Sequence, residues 1–287
     1  MTEKAEIDRQ QAIETVEASP RLVGEHDKGA WLDLFASAGV VEDPVGVAPS
    51  RRGARAREGE DELSRFYDTF IADNAIRFDV ERDIVAGDEV IRDVAIHTTL
   101  ATGLSIVVPA ILRYTLKAED GILKIARLEA HWELPRMSQQ ILSKGPKGVQ
   151  TMMLTSWTMF RRQGARGLMN YTRGMVRGIF GRGRKVAAEL AAAVTVGDRE
   201  TFAAAFAPTA IIESTTDGGA MARQAPREWF DGLGDAVSLS LSKVTPSGWM
   251  TSFRAELRQG AETRHGIGFL TFDRRTRKIL GARLYFA

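Results

Sequence analysis

Asp43 is an acid placed where its neighbours offer it chemistry. It ends the run Leu34-Phe-Ala-Ser-Ala-Gly-Val-Val-Glu-Asp43, and Pro44-Val-Gly46 follows it. The residue before a proline is driven toward extended geometry, so no helix continues through this point. A carboxylate held at the mouth of an apolar element can act as a general base on a carbon acid. The same Asp-Pro pair also suits a turn in which the aspartate bonds its own backbone, and the local residues leave both readings open. A second titratable group lies in the strand-like run Val90-Ile-Arg-Asp-Val-Ala-Ile-His97. Alternation puts Ile91, Asp93, Ala95 and His97 on one face and Val90, Arg92, Val94 and Ile96 on the other. Asp43, Asp93 and His97 on one pocket wall would suit water attack on an epoxide or lactone, whereas a register slip of one residue turns Asp93 and His97 away.

The elements around these groups repeat. In the first half, a helix is expected from about Glu6 to Glu17, ending before Ser19-Pro20, and a second from Lys28 to Ala36 with Trp31, Leu34 and Phe35 on one side. An acidic amphipathic helix over 60–71 carries Phe66 and Tyr67, and strands follow near 76–85, 88–100, 103–117 and 122–134. Ala101-Thr-Gly103 and Glu119-Asp-Gly121 are hairpin turns. The second half repeats the plan: a helix over 185–194, then 197–206 mirroring 28–35, then Phe206-Ala-Pro-Thr-Ala-Ile-Ile-Glu-Ser214 in the spacing of Phe35 to Asp43. Phe206 matches Phe35, Glu213 matches Glu42, and Trp229-Phe230 stands in for Phe66-Tyr67, but the base position becomes Ser214. Asp217, three residues on, reads as a turn residue. Strands near 236–246, 248–259, 262–274 and 278–286 complete the copy. A duplication of this length predicts two domains of one fold, which 287 residues can accommodate.

In its order of elements, from about Ile13 to Trp132, the first half resembles the ketosteroid isomerase family of the nuclear transport factor two-like superfamily. The carriers are Leu34-Phe-Ala36, Val41-Glu-Asp-Pro-Val-Gly46, the Phe66-Tyr67 helix and Ala130-His-Trp-Glu133. The resemblance implies an α+β architecture of two tandem cone-shaped domains, each a curved antiparallel sheet packed on helices around an apolar pocket. It also implies the family's chemistry, in which one Asp shuttles a proton while a Tyr and a protonated Asp hold the developing oxyanion. Asp43 falls on the base, Phe66 and Tyr67 on pocket-side aromatics, and Trp132 on a pocket-floor tryptophan. The oxyanion tyrosine falls near Ser19 and the oxyanion acid on Ala110, so neither donor is retained. Tyr67 and His97 are the replacement donors, and the resemblance puts the Asp93 and His97 face toward the pocket. Phe35, Phe66, Val108, Ala110, Leu128 and Trp132 are the expected lining. His131, next to Trp132, falls on the opposite face in a structural role. The family's open sheet face commonly packs on a second copy, so a homodimer is one expected partner, and the internal copy is an alternative occupant.

Composition narrows the chemistry. The absence of cysteine excludes disulfides, thiolate nucleophiles and Cys-ligated metals. His26, His97, His131 and His265 have no metal-ligand spacing, so no metal and no cofactor are expected. The polar start Met1-Thr-Glu-Lys-Ala-Glu-Ile-Asp8 carries no secretion signal, and no run of about 18 apolar residues exists, so a cytoplasmic protein is expected.

The charge is unevenly distributed. Between Leu134 and Ala188 there is no acid but eleven cations, which leaves 28 cations against 37 acids elsewhere, a net of −9. Val149, Met152, Met153, Trp157 and Phe160 fall at helical spacing, and Leu168, Met175, Val176, Ile179 and Phe180 form a second stripe. Arg161, Arg162, Arg166, Arg173 and Arg177 are the expected anion-binding residues. A basic amphipathic helix of this kind suits an anionic membrane surface, here peripheral to the inner face. It suits equally an internally docked lid, whose methionines would adapt to apolar ligands. Nucleic acid ranks behind both, because no recognised motif accompanies the charge.

The expected organisation is thus residues 8–135 with the candidate active site, 136–182 as a basic helical linker, and 183–287 as a copy without the base. The expected function is proton transfer by Asp43 on a steroid-like or polycyclic apolar molecule. A non-catalytic steroid or lipid carrier at the membrane surface and an epoxide hydrolase or cyclase of the same superfamily are the alternatives.

Overall fold

The computed structural model describes residues 7–54, 61–215, 221–234 and 236–286. The expected start of the first helix at Glu6, part of the basic loop after Asp43 and the Asp217 turn lie outside these residues. The chain divides into two compact units, Met1–Val176 and Arg177–Ala287.

The first unit opens with α1 (Arg9–Gly24), capped by Asp8, whose carboxylate accepts from Gln11 N at 2.8 Å. This helix runs past Pro20, where the sequence predicts a stop. Proline removes one N–H and leaves the carbonyl four residues back without its helical donor. Here that carbonyl, Val16 O, accepts from Arg92 Nη1 at 3.3 Å. A buried arginine from a distant strand therefore restores part of what Pro20 removes.

Next come α2 (Lys28–Asp33) and β1 (Phe35–Glu42). The helix ends three residues earlier than its spacing suggests, because Phe35 already pairs with Ile125 of the sheet. After a short β2 (Ser50–Arg51), α3 (Glu62–Phe70) is capped by Asp61, which accepts from Leu63 N and Ser64 N. Four long strands follow: β3 (Ala75–Ala86), β4 (Glu89–Thr99), β5 (Ser105–Glu119) and β6 (Ile122–His131). The sheet order is β2-β1-β6-β5-β4-β3, antiparallel except for the parallel pair β1 and β6. At the β5–β6 hairpin Asp120 and Gly121 take φ of 53° and 77°, the left-handed pair a tight two-residue turn requires.

Helices α4 (Leu134–Leu142) and α5 (Pro146–Val176) complete this unit. Gly164, at φ 72°, breaks α5 into two arms, and only glycine adopts that backbone without strain.

The second unit repeats the plan with α6 (Phe180–Val196), α7 (Arg199–Ala204), β7 (Phe206–Thr215), β8 (Ala222–Gln224) and α8 (Pro226–Asp231). Strands β9 (Val237–Ser247), β10 (Met250–Gln259), β11 (Glu262–Phe272) and β12 (Ile279–Phe286) close it in the order β8-β7-β12-β11-β10-β9. The duplication reaches the side chains. Trp31 lies 4.7 Å from Phe35 and stacks on Phe66 at 6.3 Å, as Phe202 lies 5.2 Å from Phe206 and stacks on Trp229 at 5.6 Å. Lys124 Nζ donates to Asp33 O, and Lys278 Nζ donates to Ala204 O at the matching place.

Candidate active site

Asp43 follows β1 directly, and the Asp43-Pro44 peptide is cis. Alternation at the strand end separates the two acids of Glu42-Asp43. Glu42 turns to the far face, where it meets Arg127 Nη2 at 2.5 Å. Asp43 turns inward and accepts from Trp132 Nε1 at 2.5 Å. Asp43 is half-buried, and it lines two adjoining cavities. Burial pushes its pKa up to about 6, and the Trp132 hydrogen bond opposes part of that rise.

In front of this carboxyl lies a cavity of about 430 Å³, in the range of small-molecule sites. Its walls are mostly apolar: Phe66 and Phe70 from α3, Ile96 from β4, Ile106, Val108 and Leu112 from β5, Leu128 and Ala130 from β6, and Trp132. Helix α5 closes it with Met152, Met159, Leu168, Tyr171 and Met175. A second cavity of about 350 Å³, with Glu62, Arg65, Gln163, Arg166 and Asn170 in its wall, shares Val41, Asp43, Phe66, Phe70 and Tyr171 with the first. Asp43 thus stands where an apolar space adjoins a polar one.

Two phenols accompany it. Tyr114, on β5, is 1 % exposed and lines the large cavity. Its hydroxyl shares a hydrogen bond with Ser19, and burial pushes its pKa up to about 12 against the nearby Arg92 guanidinium. Ser19 Oγ accepts from Trp31 Nε1 at 3.1 Å. An indole N–H can only donate, so Ser19 Oγ keeps one lone pair and its own proton with which to meet the Tyr114 hydroxyl. Tyr171 stacks on Phe70 at 5.9 Å, and burial with the charge of Asp43 pushes its pKa up as well. Both phenols therefore stay protonated when Asp43 is ionised, which makes them donors.

The structure gathers Asp43, Phe66, Val108, Leu128 and Trp132 around the cavity. Ala110 lies on the same face of β5, fully buried in the core, and Phe35 is buried beside Trp31. Tyr67, expected as a donor, is 2 % exposed with its ring 5.4 Å from Trp31. Its hydroxyl is buried and makes no hydrogen bond among the described residues, and it does not line the cavity.

Asp93 and His97 correct the expectation outright. Ile96 and Thr98 of β4 line the cavity, so alternation turns Asp93 and His97 to the other face, where His97 Nε2 lies 2.8 Å from Asp79. His131, also on that face, is fully buried, and burial holds its pKa down to about 3. The arginines do not form one free stripe. Arg162 pairs with Asp73 at 2.9 Å and Arg166 lines the smaller cavity, while Arg161, Arg173 and Arg177 are exposed.

Tyr114 and Tyr171 escaped the sequence reading although both carried a signal. Tyr114 shares the parity of Val108 and Ala110 along β5, and Tyr171 sits three residues after Leu168 and four before Met175, within a stripe already recognised. Among the described residues no group of three or more His, Asp or Glu is placed to hold a metal, and no helix is long and apolar enough to cross a membrane.

Residues 16–128 match the family described as the SnoaL-like domain, so the first unit carries a domain of the nuclear transport factor two-like superfamily. No curated protein matches the chain. Among solved structures, it is 27% identical to a Δ5-3-ketosteroid isomerase from Mycobacterium sp., over 42% of this chain and 92% of that one, with a TM-score of 0.35. It is 25% identical to RV0760c from Mycobacterium tuberculosis, solved with estradiol-17beta-hemisuccinate, over 44% and 96%, with a TM-score of 0.37. A computationally designed 17-OHP binder is 23% identical over 44% and 95%, with a TM-score of 0.38.

Proposed function

We propose that the first unit is an enzyme in which Asp43 moves a proton between two carbons of a steroid-like or polycyclic apolar ketone. The observation that carries this reading is a carboxyl poised near pH 6 in an apolar cavity with two protonated phenols beside it. The carboxylate takes a proton from the carbon next to the carbonyl, and the electron pair moves onto the carbonyl oxygen as a dienolate. Tyr114 and Tyr171 donate to that oxygen. The protonated Asp43 then returns the proton to the far carbon of the dienolate, and the double bond comes into conjugation. Trp132 holds the Oδ1 atom of Asp43, so Oδ2 is the atom that exchanges the proton. Tyr114 here takes the role of the phenol that the resemblance places at Ser19, to which its hydroxyl is hydrogen-bonded.

A pocket with so apolar a lining also suits a carrier that binds without turnover. The hydrolase or cyclase reading stays compatible with the fold, but it would have to run on Asp43 without Asp93 and His97, which face away from the cavity. The test follows enone absorbance when the protein meets a β,γ-unsaturated 3-ketosteroid. Conversion is expected with the native chain and a loss of at least about a thousandfold in Asp43→Asn, in the range for a general base. Tight binding of the steroid by both forms with no conversion by either would leave the carrier reading in place.

A further inference from the structure

Helix α5 is apolar on two sides, and among the described residues only one of them is covered. Met152 and Met159 of its first arm face the cavity. On the other side Val149, Met153, Trp157 and Phe160 follow one another at spacings of four, four and three, which places them on one face. Met153 is 69% exposed and Trp157 58% exposed, and the indole stacks on Phe160 with ring centroids 5.9 Å apart. Leu142, at the end of α4, and Leu154 extend the patch at 48% and 46% exposed. Single exposed apolar side chains are ordinary, but a contiguous patch rimmed by charge marks an interaction surface.

The rim decides the partner. Lys144, Lys147 and Arg161 are exposed on the loop and arm that carry the patch, and the stretch from Leu134 to Ala188 contains no acid. The surface is therefore cationic as well as apolar, the combination that selects an anionic lipid interface. A bilayer also accepts an uneven patch without matching its shape. Leu154 is both partly exposed and part of the cavity wall, so the patch and the cavity share a residue at their boundary.

We propose that the outer face of the first arm of α5 docks on an anionic bilayer. Met153, Trp157 and Phe160 enter the boundary between headgroups and acyl chains, and Lys144, Lys147 and Arg161 meet the lipid phosphates. The cavity then opens beside the phase in which an apolar ligand is dissolved. This goes beyond the catalytic reading and does not depend on Asp43.

The test uses the full chain with vesicles of phosphatidylcholine alone and of phosphatidylcholine mixed with phosphatidylserine. Co-sedimentation is expected with the anionic vesicles, weaker by roughly a hundredfold on the uncharged ones, since each of three cations contributes about fivefold. Tryptophan emission should shift to the blue on binding, and that shift should vanish in Trp157→Phe. The pair Met153→Asp and Trp157→Asp lies on exposed positions, so it should keep the native melting temperature and lose sedimentation. Asp43→Asn should sediment like the native chain, which separates this outcome from any failure of turnover. Three results would overturn the proposal: no sedimentation with anionic vesicles, equal sedimentation of the double Asp variant, or a dimer of the native chain that the double variant dissolves.

Discussion

At the residue scale the proposed function rests on the balance of forces on Asp43. Burial favours its neutral form and the Trp132 indole favours its charged form, and burial wins, so the carboxyl titrates near 6. The folded state therefore binds a proton that the unfolded state, titrating at the ordinary 3.8, has already released. Stability contributed by this group is present below the ordinary value and is lost as pH rises from about 4 to about 6. Asp43→Asn removes that loss and keeps a side-chain oxygen for Trp132. We expect the variant to be more stable than the native chain at pH 8, by on the order of 1–3 kcal/mol, and equally stable at pH 3, as read by urea unfolding at both pH values. The proposed proton transfer has the opposite dependence, because the base must be ionised. The rate at low substrate should rise tenfold per pH unit below about 6 and level off above it. Tyr114→Phe removes one donor to the developing oxyanion and should lower kcat by roughly a hundred- to a thousandfold with little change in KM. An unchanged kcat in steady-state kinetics would return the donor role to Tyr171 alone.

At the scale of elements, the site depends on how strands and helices are tied to one another. Arg92 is 2% exposed on β4, bonds Asp83 at 2.8 and 3.0 Å, and also serves the Val16 carbonyl that Pro20 leaves without a donor. One guanidinium thus joins α1 to β3 and β4 and stands beside Tyr114. Arg92→Ala leaves the half-buried Asp83 without its partner and the carbonyl without its donor. That should cost about 3–5 kcal/mol in a denaturant titration. Helix α5 is the other such element. Its inner face completes the cavity wall and its outer face carries the proposed lipid contact, so one helix has two apolar jobs. That is why its sequence departs from a simple amphipathic pattern.

At the scale of the whole molecule, one unit carries the acid and its copy does not. The second unit keeps the sheet order, the aromatic cluster and the paired lysine bonds, while Ser214 occupies the base position. Its core is filled by Phe253, Phe272 and Phe286, and the ring of Phe253 reaches to within 2.4 Å of where a side chain on Gly268 would begin. Titration calorimetry should accordingly find one steroid bound per chain, and Ser214→Ala should leave both that stoichiometry and the turnover rate unchanged. A stoichiometry of two would show that the second unit keeps a pocket of its own.

Much of this protein is written in local patterns. Period-two alternation located the eight long strands, the Asp-Gly and Thr-Gly pairs located the hairpins, and the matching runs that end in Asp43 and Ser214 revealed the duplication before any contact was known. Such features depend on residues near one another in the chain. Asp43 was legible for the same reason, because Pro44 stops an apolar strand on it. The partners of Asp43 were not. Whether β4 presents Asp93 and His97 or Ile96 and Thr98 to the interior depends on which face the helices cover, and alternation is symmetric in that choice. Tyr114 and Tyr171 share a cavity with Asp43 only when β5 and α5 form its walls, across 71 and 128 residues of chain. Pro20 reads locally as a helix stop, and Arg92, arriving from β4, gives the Val16 carbonyl the donor that Pro20 removes. The sequence by itself determined the order of the elements, the repeat and the acid that follows β1. Tertiary structure decided which polar groups share the cavity, because that depends on packing between segments that are distant in the chain.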